Sequence, residues 1–386
     1  MKNLSRLVVA AGTGIGLSIT ALSAVASASP PSAPPGNSPF SFGADHVVFV
    51  QNDNPAGNQI VSYDRSPNGT LVQAGTYPTG GLGGVLNGSA VDHLASQGSL
   101  AYDPIQRLLY AVNAGSNTVS VFSVRGDQLA LRQVVASGGS FPVSVAVHGT
   151  SVYVLNGLSA SLQGYVSFFG RLYPLPGSNR SLGITVPTDT TQFVSTPGQV
   201  AFTPDGSKLV VTTKASGSAI DVFRTGPFGY LSPAPVVNAE PGAVPFAVSF
   251  DPAGHLVVAN AGTNALSSYA VTPSGTLGPI ATVATGQNAT CWVATAQGAF
   301  FASNAGSASV SRVAASPSGQ LGLLGATATD PGTVDAAPSA DGRFLYVQTG
   351  ATGTVDEFQV GPGGSLTPIG SVVVPGAIGG EGIVAF

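Results

Sequence analysis

The stretch Leu108-Leu-Tyr-Ala-Val-Asn113-Ala-Gly-Ser-Asn-Thr-Val-Ser-Val-Phe122-Ser-Val124 reads as two short strands joined by a polar turn, and its first half recurs along the chain. Related segments are Val47-Val-Phe-Val-Gln-Asn52, Val152-Tyr-Val-Leu-Asn156, Lys208-Leu-Val-Val-Thr-Thr213, Leu256-Val-Val-Ala-Asn260, Phe300-Phe-Ala-Ser-Asn304 and Phe344-Leu-Tyr-Val-Gln-Thr349. The residue three before each closing Asn or Thr falls at positions 49, 110, 153, 210, 257, 301 and 346, so the spacings are 61, 43, 57, 47, 44 and 45. Turn signals bracket each copy. Asp103-Pro104, Pro204-Asp-Gly206, Asp251-Pro-Ala-Gly254 and Asp341-Gly342 precede it; Pro67-Asn-Gly69, Gly126-Asp127, Pro273-Ser-Gly275, Pro317-Ser-Gly319 and Pro362-Gly-Gly364 follow it. Four short strands per unit at a period of about 40 to 50 residues are the pattern of a propeller blade.

The inner strand of each blade should precede the first turn. Candidates are Ser99–Tyr102, Val143–Val147, Gln199–Phe202, Phe246–Phe250, Cys291–Ala294 and Val334–Ala337. The first unit lacks one, because only a proline-rich stretch precedes Val47. Gly382-Ile-Val-Ala-Phe386 resembles Gln199-Val-Ala-Phe202 and is expected to supply it. The expected fold is therefore all-β: a seven-bladed β-propeller of four-stranded blades, its ring closed by the C-terminal strand. Closure hides the two sheet edges that a linear array would expose.

Composition agrees. The 386 residues include 52 Gly and 29 Pro, which interrupt helices, and 43% apolar residues, which is ample for a core. Only 8% are charged, with 13 Lys+Arg against 17 Asp+Glu, too few cations to neutralise a run of phosphates, so nucleic-acid binding is excluded as a function class. A lone cysteine, Cys291, leaves no intramolecular disulfide and no multi-thiolate metal site. An outer-membrane barrel conflicts with the single Trp, the missing aromatic girdles and the four-strand period.

The chain divides into a secretory signal at 1–28, a proline-rich linker at 29–45 and the propeller at 46–386. Lys2 and Arg6 precede the apolar stretch from Leu7 to Leu22, and small residues around Ala24 to Ala28 offer cleavage sites. The product is expected outside the cytoplasm, secreted or held in the cell envelope, as a monomer. Once the signal is cleaved, no run is long and apolar enough to span a membrane, despite a mean hydropathy of +0.32.

The Pro-Asp-Gly turn, Tyr-x-x-Asn, Gly-Ser-x-Thr-Val-Ser-Val-Phe and Gly-x-Leu elements resemble the seven-bladed lactonase-like propellers. That family includes bacterial 6-phosphogluconolactonases and fungal carboxymuconate-lactonising enzymes. The resemblance covers 46–386, and Ala111–Phe122 and Thr285–Trp292 look most like a secreted bacterial subgroup of unassigned function. It implies the fold directly and the reaction much less. Catalytic members carry a His/Arg pair entering an inner strand and a Glu after Tyr-x-x-Asn. Here the matching stretches are Thr196-Pro-Gly-Gln199 and Val244-Pro-Phe-Ala247, and Asn113, Asn156, Asn260 and Asn304 are followed by Ala or Gly. No family catalytic residue carries over.

Two loops entering inner strands are long, Thr76–Gln97 and Ser178–Pro197, and long loops in a compact repeat commonly hold function. They carry Asp92 and His93, an acid–base pair in principle, and Arg180 and Asp189, of which Arg180 could clamp an anion. These four are the ligand-binding candidates, expected around a central mouth. Asp53, Glu240, Asp330 and Glu381 are expected on the same face and suit a divalent cation such as calcium. The repeated Asn residues read as strand ends tolerating left-handed turns. Cys291 reads as buried packing. Two functions remain: a non-catalytic module binding a small molecule, glycan or protein, and a divergent hydrolase of a lactone or sugar acid.

Overall fold

The computed structural model describes residues 46–386; the expected signal and the whole of the expected linker lie outside them. Seven antiparallel sheets follow one another along the chain. Blade 2 is representative: Leu100–Asp103, Leu108–Asn113, Thr118–Arg125 and Gln128–Ala136 pair in sequence order. Blades 3 to 7 open with inner strands Pro142–His148, Val200–Phe202, Pro245–Phe250, Thr290–Ala296 and Thr333–Pro338. Blade 1 takes its inner strand from the C-terminus. Ile383–Ala385 pairs with Val47–Gln51 in the register Val48↔Ala385, Phe49↔Val384 and Val50↔Ile383. Val47 and Phe386 exchange backbone hydrogen bonds at 2.9 and 3.0 Å, and the Phe386 ring stacks on Tyr102 of blade 2 at 4.0 Å. Neighbouring blades touch all the way round, with Ile383–Ala385 against both Thr333–Pro338 and Leu100–Asp103, so the ring is closed.

Burial follows position in the blade. Second strands such as Leu108–Asn113 and Phe344–Thr349 are buried at every residue, because a blade packs on both faces against its neighbours. Fourth strands such as Gln128–Ala136 are mostly exposed or half-exposed. In five blades the pairing of third and fourth strands shifts at one position, before Tyr63, Phe122, Tyr269, Val313 and Phe358. Such bulges increase the local twist that a propeller blade needs. The outer strand of blade 3 is broken: Arg171–Pro174 pairs with one half of Ser161–Phe168 and Arg180–Ser181 with the other.

The repeated asparagines are structural, for a different reason than expected. Asn113 has φ −122°, which is not left-handed. Its Nδ2 instead donates to Thr118 Oγ1 at 3.1 Å and Ser120 Oγ at 2.8 Å, tying second strand to third. Asn260 donates to Ser267 and Asn304 to Ser309 and Ser311 in the same way. In blades 2, 5 and 6 the Asn is thus paired with hydroxyl side chains of the next strand. Among the described residues no helix is long and apolar enough to cross a membrane.

Candidate functional site

All seven inner strands run the same way through the ring, which defines two ends of a central channel. At the end where the chain enters these strands, the expected mouth is filled. The loop from Thr79 to Ser99 crosses it with Leu86, Leu94 and Ala95 fully or nearly fully buried. Its backbone is tied to blades around the ring. His93 N donates to Gly379 O at 2.8 Å, Gln97 N to Gly198 O at 3.1 Å, and Val145 N to Gly98 O at 2.9 Å. Ser96 O accepts from Trp292 Nε1 at 2.6 Å, and the Gln97 amide makes a two-way pair with the backbone of Val293. The fit is tight enough to require Gly350, where a Cβ would sit 1.6 Å from Val91 O. The long loop is a plug, because its apolar residues bury better in the channel than they would in water.

Lys214 locks the plug. Its side chain is fully buried, with Nζ donating to Ala95 O of this loop at 2.6 Å and to Phe193 O of the second long loop at 2.5 Å. The ammonium also lies 5.1 Å from the centre of the Phe246 ring. Burial pulls its pKa down to about 7, opposed by the charge of Asp92.

Four carboxyls gather where the plug meets the ring, Asp92 from the plug itself and three from beneath it. Asp92 Oδ1 and Oδ2 accept from Leu94 N and Ser96 N at 2.8 and 2.9 Å, shaping the loop. Glu381 Oε1 accepts from Gly98 N at 2.9 Å, and Glu381 N donates to Asp53 Oδ2 at 2.8 Å. Asp53 is also held by the Gln51 amide. Asp335, on the inner strand of blade 7, accepts from Ala336 N at 2.9 Å and hydrogen-bonds the Glu381 carboxyl. Two carboxyls can bond each other only if one keeps its proton. Burial raises Asp53 to about 8, Asp335 to about 7 and Asp92 to about 6. Glu381 is raised by burial and by the three neighbouring carboxylates.

The other end is open. In the inner strands the first residues are buried and accessible ones come later, as in Pro245–Phe250, where only the last two are half-exposed. Val200–Phe202 and Ile383–Ala385 show the same gradient. A cavity of about 470 Å³ occupies this half. Gln97, Gln199 and Asp335 lie at its inner end, Leu100, Tyr102 and Ile383 on its walls, and the exposed Pro104 and Ala340 at its rim. Gln199 Oε1 accepts from Val248 N at 2.6 Å, which leaves its amide N–H groups for the cavity. The lining holds no Lys, Arg or His.

The expected ligand residues do not converge on this cavity. Asp92 is buried in the plug, and His93 packs against Gly379 with Nδ1 buried and unpartnered. Arg180 points its guanidinium at the carbonyls of Gly177, Asn179, Leu231 and Ser232 between blades 3 and 4. Asp189 is exposed and caps its own turn through Thr191 at 2.8 Å, which lowers its pKa. The expected cation set is split. Asp53 and Glu381 meet under the plug, but Glu240 bonds Tyr269 and Asp330 bonds Thr354 elsewhere. Among the described residues no three His, Cys, Asp or Glu side chains are arranged to hold a metal ion. Cys291 is buried, and burial pushes its thiol up to about 12.

Asp335 and Lys214 were legible but unread. Asp335 is the one carboxylate inside an expected inner strand, flanked by Val334 and Ala336. Lys214 and Asp53 follow the strand-ending Thr213 and Asn52, where the other five blades carry Ala114, Gly157, Ala261, Ala305 and Gly350. Two charges at a position otherwise reserved for Ala or Gly mark the places where the repeat serves something besides its own packing.

No protein-family model and no curated protein matches this sequence. Solved structures do. A periplasmic gluconolactonase from Pseudomonas aeruginosa superposes with a TM-score of 0.68 at 17% identity, over 88% of this chain and 98% of that one. A provisionally named 6-phosphogluconolactonase from Bacteroides uniformis gives 0.69 at 19% identity, over 88% and 99%. An inactive H270A variant of a virginiamycin B lyase from Staphylococcus aureus gives 0.51 at 12% identity, over 70% and 82%. The fold is that of the lactonase-like seven-bladed propellers, and at these identities the likeness is one of fold.

Proposed function

We propose that the protein is exported from the cytoplasm and binds a small uncharged molecule in the cavity at the open end of its channel. The carrying observation is the lining: apolar walls, a few polar groups at the inner end and no cation. A phosphorylated or carboxylated ligand would meet Asp335 with nothing to offset its charge, so the phosphorylated sugar lactone named for one structural neighbour fits poorly. Neutral lactones, sugars and similar hydroxylated rings fit the amide of Gln199 and the carboxyl of Asp335. Calorimetry against a panel of neutral and anionic rings tests this. Affinity for a neutral member, lost when Ala336→Phe fills the cavity and reduced about tenfold or more in Asp335→Asn, is the expected result. Tight binding of anionic members alone, or binding unchanged by both substitutions, would refute it.

One observation favours hydrolysis as a second reading: the Asp335 carboxyl, raised by burial to about 7, backs onto Glu381 at the end of the cavity. Such a carboxylate can take a proton from water as the water adds to a lactone carbonyl. It then returns that proton to the ring oxygen as the C–O bond breaks, giving a hydroxy acid. Assays of neutral lactones with and without calcium should show turnover rising as pH passes 7, and Asp335→Asn should lower it about a hundredfold. Absence of turnover above the buffer rate leaves binding as the function.

A further inference from the structure

On the face where the channel opens, three consecutive blades carry exposed apolar tips. Ile105, in the first turn of blade 2, is 87% exposed. Phe168 and Phe169, at 56% and 82%, form the tip before the outer strand of blade 3, and Phe228, at 87%, sits in the corresponding turn of blade 4. These are the exposed phenylalanines among the described residues. The tips are contiguous. Ser167 Oγ donates to Gln106 Oε1 at 2.9 Å, and the Tyr153 hydroxyl donates to Gly229 O at 2.8 Å, bridging blade 2 to 3 and blade 3 to 4.

Two of these rings stand on strained backbone. Phe169 has φ +47° and Phe228 has φ +58°, each followed by a glycine that is also left-handed. The matching turn of blade 7 places Gly363 at φ +62° where blade 4 has Phe228. Asn or Gly is the ordinary choice there, since a bulky side chain is disfavoured in this region. Phe169 rests on the likewise exposed Phe168 ring, 4.1 Å away between centres, so neither ring is covered by the rest of the chain, and a costly conformation that leaves phenyl groups in water points to something outside. Arg132 beside Gly170, Arg171 at the same tip and Arg224 beside the blade 4 turn are exposed and make no ion pair with the described residues. Of the carboxylates in the turns of these blades on this face, Asp103 accepts from Ile105 N and from Gln106, Asp205 from Thr203 and Ser207, and Asp127, between the third and fourth strands of blade 2, from Gln128 Nε2.

We propose that this face docks on a membrane surface rich in anionic lipid headgroups. The phenyl rings enter the headgroup–acyl boundary and the arginines meet phosphates, in a chain whose overall charge of −4 would otherwise repel such a surface. Rings projecting from convex turns suit a deformable medium, whereas a protein partner would have to offer a pocket for each. Pro104, at the cavity rim, adjoins Ile105, so docking sets the channel mouth against the bilayer. That consequence rests on the ligand reading above; the docking does not.

The test uses the full chain and phosphatidylcholine vesicles with or without phosphatidylglycerol. Sedimentation should require the anionic lipid and weaken about tenfold or more in Phe169→Ser/Phe228→Ser. Arg132→Gln/Arg171→Gln/Arg224→Gln should abolish the preference for anionic vesicles. Trp introduced as Phe169→Trp or Phe228→Trp should be quenched by brominated lipid, while Leu324→Trp, on the outer strand of blade 6, should not. This local readout separates docking by the tips from attachment through residues 1–28. Sedimentation without quenching at 169 and 228 would overturn the proposal. So would a dimer in solution that Phe169→Ser/Phe228→Ser disperses while both Trp reporters stay unquenched, since the face would then pair with a second copy.

Discussion

At one end of the channel a loop of some twenty residues is packed into the ring and bonded to blades 3, 4 and 6, with its own Asp92, three further carboxyls and a lysine buried there. At the other end a cavity of about 470 Å³ opens between the inner strands of blades 7, 1 and 2, with Gln199 of blade 4 at its inner end and a largely apolar wall. The strands are equivalent by repeat, so the ends differ through what the connections add. Four-residue turns cannot reach the axis, whereas the Thr79–Ser99 loop can, and its Leu86 and Leu94 gain by staying there. A long insertion in a propeller can thus close a site as readily as frame one. Of the charged groups that look functional by type, Asp92, His93, Asp53 and Glu381 belong to the closed end, where they pack in or beneath the plug. The group best placed for chemistry, Asp335, belongs to both: the residue lines the cavity and its carboxyl hydrogen-bonds Glu381 under the plug.

Removing the strand common to both ends should have the largest effect. Deletion of Gly382–Phe386 strips blade 1 of its inner strand, unstacks Tyr102 and exposes a sheet edge. A loss on the order of 5 kcal/mol, from buried Ile383 and the broken ladder, is expected as aggregation or a collapsed melting transition. A melting temperature equal to that of the intact chain would show that the ring does not depend on closure.

Next comes the closed end alone. Lys214→Ala leaves the carbonyls of Ala95 and Phe193 without their donor and a void beside Phe246, so stability should fall by about 2–4 kcal/mol in denaturant titrations. Ligand affinity at the open end should change less than about threefold. A larger change would mean that the two ends act as one.

Stability should also depend on pH through the buried carboxyls. Asp53, Asp335, Asp92 and Glu381 all have raised pKa values in the fold, so between about pH 4 and 8 the folded chain keeps protons that the unfolded chain has released. Stability from these groups is therefore complete in acid and is lost as pH rises through that window. Lys214 has the opposite slope from about 7 upward, because its pKa is depressed and the unfolded chain then binds the extra proton. Melting measured from pH 5 to 8 should decline by an amount on the order of 1–3 kcal/mol, and Asp53→Asn should flatten the decline. A rise across the window would contradict the buried, proton-sharing arrangement.

The smallest effect tests a residue that belongs to neither end. Asp189 is exposed on the second long loop, bonded only to its own turn. Asp189→Ala should leave both melting temperature and ligand binding unchanged within error, and a clear loss of binding would move the site to that loop.

Much of this molecule was readable without coordinates. Seven copies of an alternating apolar segment, turn residues at fixed offsets and a missing inner strand at one terminus together require a closed ring, because each is a local rule with a short reach. Val47–Gln51 pairs with Ile383–Ala385 as that pattern demands. Which end of the ring would be open was not readable in this way. Loop length says that a segment can reach the axis, not whether it lines the channel or fills it. That outcome depends on whether Leu86, Leu94 and Val91 find complementary surface on blades far apart in sequence. Arg180 and Asp189 looked like binding groups because residue type is visible in sequence and orientation is not. Lys214, Asp335 and Glu381 come from blades 4 and 7 and the closing segment, and only the ring brings them to the axis. Their shifted pKa values arise from burial there, which is a property of the packed interior and of no single stretch of chain.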